Sequence, residues 1–244
     1  MINTVIKKFI NNLLSFFNLQ LNRITLSSNF TYYIVRVLIN FKIDYVLDIG
    51  ANEGQFAEQI RKYGFKKDIL SYEPMKNAYK KLSKKSENSN NWKIYNNGFG
   101  NKEEQQTLNI SKNSVSSSIL NLHKKSLIYE PNSKYISKET INLITLNRVL
   151  TENRFKKKNI FVKIDTQGYE KNILIGASKV LKKIKGIMLE VSVVPIYKGE
   201  KDFIEMIKFM EKKGFYVWAI ERGFSNKNTA RVFQLDIIFI NKNA

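Results

Sequence analysis

Four acidic residues stand where a strand hands the chain to a turn: Asp48 before Gly50, Glu73 before Pro74, Asp165 after Lys163 and Ile164, and Glu190 after Met188 and Leu189. In an open α/β sheet, ligands bind beside the carboxyl ends of the strands, so such a set opens onto one crevice. Glu73 has the right chemistry to accept both hydroxyls of a ribose. It lies 73 − 50 = 23 positions past Gly50, near the roughly 20-residue offset of a ribose-binding acid. Asp165 and Glu190 could work as a general base with an orienting partner. They could equally hold a divalent cation such as Mg²⁺ or Mn²⁺ through oxygen. Lys163 points the same way as Asp165 by strand alternation. Glu170 either complements the dipole of the following helix or joins the site. His123, the single histidine, is either an ordinary surface residue or a third choice of base, since imidazole is the side chain most often used to accept a proton. Ser117 and Ser118 are either plain loop residues or hydrogen-bonding contacts to substrate or cofactor.

The turn after Asp48 reads Ile49, Gly50, Ala51, Asn52, Glu53, Gly54, Gln55, Phe56. Gly50 and Gly54 are expected to let backbone approach a ligand closely, and the following helix N-terminus to direct N–H groups at the same place. The turn is no dinucleotide fingerprint, because Asn52 occupies the second glycine of G-x-G-x-x-G, and it is no Walker loop, because G-K-[ST] is absent. Asp48 would repel phosphate and welcome a cationic ligand. S-adenosylmethionine (SAM), with its sulfonium and ammonium, has that sign.

These residues need a sheet behind them, and the chain supplies alternating strand and helix signals, the mark of a parallel sheet covered on both faces. Strands are expected over 44–50, 68–74, 92–96, 160–165 and 186–191, with helices over 54–63, from Pro74 through Leu82, over 169–181 and over 202–212. The last two strands, 215–220 and 234–240, are joined by a loop and should run antiparallel. Between 97 and 154 the rhythm breaks. Strand-like stretches at 106–110 and 140–146 flank a serine-rich segment, which reads as an insertion acting as a lid or a disordered loop. The economical organisation is an N-terminal helical extension, residues 1–40, and one domain over 41–244.

The net charge of +20 would suit an acidic partner. The lysines are nevertheless spread along the whole chain, without an Arg-rich block or zinc-finger pattern, so a solvated basic surface is the simpler reading and nucleic acid is not expected as a partner. There is no cysteine, which removes disulfides and thiolate chemistry and fits a reducing cytoplasm. Ile2, Val5, Ile6, Phe9, Ile10, Leu13, Phe16 and Phe17 recur at helical spacing, broken by Lys7 and Lys8. This excludes a membrane span and does not read as a secretory signal. A helix packed on the core or on a second subunit is expected. A helix lying on an anionic membrane through residues 1–22 is the alternative.

The stretches VLDIGANEGQF (46–56), YEP (72–74), SSSIL (116–120) and VKIDTQGYEKNILIGA (162–177) resemble the FkbM family of SAM-dependent methyltransferases over roughly residues 44–240. Gln167 stands where that family commonly has Glu. The resemblance implies a Rossmann-like class I methyltransferase fold: a mostly parallel, doubly wound sheet with an antiparallel last strand. It also implies O-methylation of a sugar hydroxyl, on a nucleotide-linked sugar or a surface-polysaccharide or glycan precursor. Cofactor contacts are expected from Asp48, Gly50, Ala51, Asn52, Gly54, Gln55, Phe56, Glu73, Pro74, Asn97 and Gly98. Acceptor contacts are expected from Ser117, Ser118, Lys163, Gln167 and Glu170, and catalysis from Asp165, then Glu190, then His123. Two rivals stay open: a nucleic-acid methyltransferase, and a SAM-binding module without turnover.

Overall fold

The computed structural model describes residues 4–244; Ile2, the first residue of the N-terminal apolar stripe, lies outside them. The elements in chain order are α1 (Thr4–Ser15), α2 (Phe30–Asn40), β1 (Tyr45–Ile49), α3 (Gln55–Lys62), β2 (Asp68–Tyr72), α4 (Lys76–Ser86), β3 (Trp92–Tyr95), β4 (Gly98–Phe99), β5 (Glu104–Ser111), α5 (Ser126–Tyr129), β6 (Tyr135–Ile144), α6 (Leu146–Leu150), β7 (Ile160–Ile164), α7 (Glu170–Ile175), β8 (Ile184–Ser192), α8 (Phe203–Lys212), β9 (Phe215–Arg222) and β10 (Gln234–Asn241).

Seven strands form one sheet in the order β3-β2-β1-β7-β8-β10-β9. The first five are parallel, and β10 runs antiparallel to both β8 and β9, as expected for the last pair. Successive residues of the central strands feed opposite layers. Val46 and Phe161 pack with α2 and α3, while Leu47, Ile49, Val162 and Ile164 pack with α6, α7 and α8. All six are essentially inaccessible, which is why β1 and β7 read as apolar runs broken only by Asp48 and Lys163, which pair with each other across the two strands: both of their faces are covered.

Register sets the functional row. Ile49 pairs with both Tyr72 and Ile164, Ile164 with Leu189, and Glu190 with Asp236. One residue beyond those pairs, Gly50, Asp165 and Glu190 stand level across the strand ends with Glu73 and Asp236. The row spans four strand spacings, about 19 Å.

Three expectations change. The 97–154 segment is an ordered element carrying its own sheet, β4-β6-β5. Leu108, Ile141 and Leu143 join that sheet to the main core, so burial holds it in place. The helix expected to reach Leu181 ends at Ile175 and gives way to turns, in which the Ala177 and Ser178 N–H groups donate to the Leu174 and Ile175 carbonyls; Gly176 lets the Gly100 carbonyl pack against the chain there. Within the extension, α2 belongs to the core. Asn29 caps it by accepting from the Tyr32 N–H, and Ile34, Val35, Val37 and Leu38 are buried. By contrast α1 buries no residue, so the expected packing of that helix on its own core is not found.

Candidate active site

A cavity of about 520 Å³ opens along the strand-end row, within the size range of small-molecule sites. Its floor includes Gly50, Glu73, Asp165, Glu190 and Asp236, and its far wall includes Asn113, Ser116 and Ser117 from the insertion and Phe224 and Phe233 before β10. Ala51, Asn52, Gln55, Phe56, Pro74, Gly98, Lys163 and Gln167 also face it.

At the β1–β2 end, Glu73 is 3% exposed. Its Oε2 accepts from the Asn52 N–H at 2.8 Å and its Oε1 from the Met75 N–H at 2.8 Å. Burial outweighs those bonds and pushes its carboxyl up to about 7. Each oxygen keeps a second lone pair, so the carboxylate can still accept from a vicinal diol. The turn itself differs from expectation. The Gly50 and Ala51 N–H groups both donate to the Tyr72 carbonyl, Gly54 N–H to the Ala51 carbonyl, and Glu53 N–H to Asn52 Oδ1; these amides are taken within the protein. Gly50, at φ +77°, is required because a Cβ would lie 1.9 Å from the Asp165 carbonyl oxygen. Gly54 would strike Leu82 and Trp92 and does not line the cavity. Gly54 thus serves chain-to-chain approach alone, whereas Gly50 does so while also lining the cavity.

At the β7–β8 end the charged groups form one network. Lys163 Nζ lies 3.1 Å from Asp165 Oδ2 and 3.5 Å from Asp48 Oδ1, and it sits over the Phe56 ring at 5.7 Å. Burial opposes the lysine's charge, yet Asp165 and then Asp48 overcome it and hold the ammonium above the usual lysine range. Asp48 is fully buried behind the floor and bonded by Ser71 Oγ at 3.2 Å, so it acts on the cavity only through Lys163. Gln167 Nε2 donates to Asp165 Oδ1 at 2.8 Å and to Glu190 Oε2 at 2.6 Å, while its Oε1 accepts from the Tyr197 hydroxyl at 2.8 Å. A glutamate could not make the two donations. Gln234 Nε2 also donates to Glu190 Oε2, at 2.8 Å. Burial, with Asp165 and Asp236 nearby, pushes the Glu190 carboxyl well above its usual range. Burial and Asp165 likewise push Asp236 up to about 6. Among the described residues no three metal-type side chains converge as a metal site, and an amide N–H donor bridges Asp165 and Glu190.

The Methyltransferase FkbM domain matches residues 48–217, a span that holds Asp48, Glu73, Asp165 and Glu190. The chain belongs to the FkbM family of SAM-dependent methyltransferases. No curated protein is similar enough in sequence to count as a relative. Among solved structures the chain is similar to magnesium protoporphyrin IX methyltransferase from Synechocystis, determined with bound SAM (9% identity, TM-score 0.47, covering 98% of this chain and 96% of that one). It is also similar to a putative RNA methyltransferase from Pyrococcus horikoshii (12% identity, TM-score 0.45, 86% and 82%) and to an rRNA methylase from Streptococcus thermophilus (10% identity, TM-score 0.46, 86% and 94%).

Several residues of this FkbM-family chain lie away from their expected places. Ser118 is fully buried, and its hydroxyl donates to the Gln167 carbonyl at 2.7 Å, tying the insertion to the β7 turn. Ser117 lines the cavity but accepts from the Ser111 N–H at 3.0 Å. His123 is exposed and off the cavity, its backbone bonded to Ile196. Asn97 lines a separate depression with Tyr95 and Arg154. Sequence reasoning passed over Tyr197, Gln234 and Asp236, and also Phe30, Thr31 and Ile34 of α2, all of which line the cavity. Gln234 and Asp236 alternate on one face of β10, and that spacing could have flagged them.

Glu170 turns out to organise the loop. Its Oε1 accepts from Thr166 N–H at 2.9 Å, Thr166 Oγ1 at 3.1 Å and Gly168 N–H at 3.2 Å. Burial pushes its carboxyl up to about 7 against those bonds. The folded state therefore holds this proton more tightly than the unfolded chain, and the contribution is lost as pH rises through about 7. Glu170→Gln keeps an acceptor oxygen and removes the buried charge. Its stability relative to the parent should rise between pH 5 and pH 8 by on the order of 2 kcal/mol, roughly 4–8 °C in Tm. Thermal melts of both proteins across that range check this; a pH-independent difference would refute it.

Proposed function

We propose that the protein transfers the methyl group of SAM to a hydroxyl of an uncharged sugar unit. The observation that carries this reading is the Asp165 carboxylate, partly exposed on the cavity floor between Lys163 and Gln167, in register with Glu73 at the cofactor end. The residues present fit the cofactor. Glu73 would take the ribose diol, and the acidic lining suits a ligand bearing a sulfonium and an ammonium. Bound SAM supplies an electrophilic methyl group. A sugar hydroxyl is a very weak acid, so its proton must leave as the C–O bond forms, and Asp165 accepts it. Lys163 and Gln167 hold Asp165 in one orientation for this. Glu190, whose carboxyl is pushed above its usual range by burial and by the neighbouring Asp165 and Asp236, is held beside Asp165 by the Gln167 and Gln234 amides.

The lining also bears on the acceptor. Among the described residues its acidic side chains are Glu73, Glu130, Asp165, Glu190 and Asp236, against Lys163 as the one cation, which is already paired. A nucleotide diphosphate or an RNA backbone would meet no free cation there, so an uncharged glycan is favoured over the nucleotide-linked form. Asn113 and Ser116 offer polar contacts on the far wall, and Phe224 and Phe233, stacked at 5.7 Å, offer apolar faces.

Methyl transfer from labelled SAM to a panel of neutral glycans, nucleotide sugars and RNA tests this. Incorporation into glycan hydroxyls is expected, and incorporation into RNA alone overturns the reading. Titration calorimetry tests the cofactor end. Glu73→Ala should weaken SAM binding by about 1–3 kcal/mol. Hydroxyls donate best to an ionised carboxylate, so SAM affinity of the parent should increase as pH rises through about 7, a rise absent in Glu73→Gln. A parent protein that binds NAD in preference to SAM would end the cofactor assignment.

A further inference from the structure

The N-terminal arm carries a surface that methyl transfer does not use. Residues 1–43 contain no aspartate or glutamate, yet hold Lys7, Lys8, Arg23, Arg36 and Lys42. Ile6, Phe9 and Leu13 of α1 are 53%, 66% and 53% exposed, and Phe16, Phe17 and Leu19 just past its end are 85%, 75% and 59% exposed. On a helix these α1 positions share one face, with Lys7 and Lys8 outside the apolar arc. Past α1 the chain folds back: Leu19 N–H donates to the Leu14 carbonyl, and the Asn11 side chain bonds both the N–H and the carbonyl of Leu21, at 2.7 and 3.2 Å. The two phenylalanines are thereby held at the tip of a compact hairpin-like arm. None of these residues lines the cavity.

We propose that this arm is a docking surface for an anionic lipid membrane, with α1 lying in the interface plane. The physical warrant is the pairing of two features. An exposed apolar stripe gains by leaving water for the acyl boundary, and cations flanking it gain from anionic headgroups. A second copy of the chain is the poorer occupant. It would set two acid-free, cationic arms against each other on proteins that each carry a net charge of +20, and like charges oppose that approach. No helix among the described residues is long and apolar enough to cross a membrane, so the contact is one of lying on the surface. The inference goes beyond the proposed reaction and stands or falls separately from it.

Vesicle flotation with the full chain tests it, using phosphatidylcholine alone and phosphatidylcholine mixed with phosphatidylglycerol. The protein should float with the mixed vesicles only, and high salt should release it. Lys7→Gln/Lys8→Gln should weaken partitioning roughly thirtyfold, from the loss of two interfacial cations. Phe9→Glu/Leu13→Glu should abolish it. SAM affinity in both variants should match that of the parent, which shows that the rest of the molecule is intact. Flotation that survives Phe9→Glu/Leu13→Glu would place the lipid contact elsewhere and overturn the proposal, as would failure of the parent to float with anionic vesicles. A concentration-dependent dimer in sedimentation velocity that Phe9→Glu/Leu13→Glu disperses would assign the face to a second copy instead.

Discussion

Asp165→Asn should lower kcat by about 10²–10⁴, the usual cost of losing a general base, while SAM affinity stays near that of the parent. The substitution keeps the size of the side chain, and the Lys163 ammonium retains Asp48 as a partner at 3.5 Å. It removes the basicity at the point where the acceptor proton must go. Single-turnover transfer measured beside SAM calorimetry separates the two effects. A chelator should leave the parent's activity unchanged, since Gln167 bridges Asp165 and Glu190 through an amide; loss restored by Mg²⁺ or Mn²⁺ would replace the direct base by a metal-assisted one. Near-normal turnover in Asp165→Asn would refute both versions. Glu190 would then be the next group to test, because His123 lies off the cavity.

Gly50→Ala should be the most destabilising single substitution at the site, by about 3–5 kcal/mol. Two costs add. A positive φ strains any side-chain-bearing residue by about 1–3 kcal/mol, and the new Cβ would fall 1.9 Å from the Asp165 carbonyl oxygen, a backbone atom that cannot swing aside. Relieving the overlap means moving the β7 end, and Asp165 with it, so methyl transfer should fall as well. Gly64→Ala is the control, since Gly64 has φ +100° and nothing within 4 Å of the added Cβ. It carries the strain without the collision. Thermal denaturation should show a Tm drop of roughly 10 °C for Gly50→Ala and a clearly smaller one for Gly64→Ala. Equal drops would show that the close approach to Asp165 contributes nothing.

The amino-acid sequence by itself determined the alternation of elements, the doubly wound sheet with its antiparallel last pair, and the positions of Glu73 and Asp165 just past strand ends. These follow from short-range properties: apolar runs buried on both sides, glycine after a strand, and acids placed where a strand must stop. Glu190, expected to end its strand, lies inside β8, which runs on to Ser192. Other features depend on which distant residues the sheet register brings together. Gln167 is 30 positions from Tyr197, and Glu190 is 44 from Gln234, so nothing local announces that one amide joins Asp165, Glu190 and Tyr197. Asp48 looked like a cofactor contact, but the register puts it opposite Lys163 and Ser71, behind the floor. Gly50 was legible as a backbone position facing the cavity, but that its missing side chain also makes room for the neighbouring strand end was not. Ser118 and Glu170 looked like substrate contacts, and both spend their hydrogen bonds on the β7 turn. The apolar periodicity of α1 predicted a helix correctly, yet periodicity only says that one face is apolar. Whether the protein's own core covers that face depends on the space left beside α2 and the sheet, and there the tertiary structure leaves it in solvent.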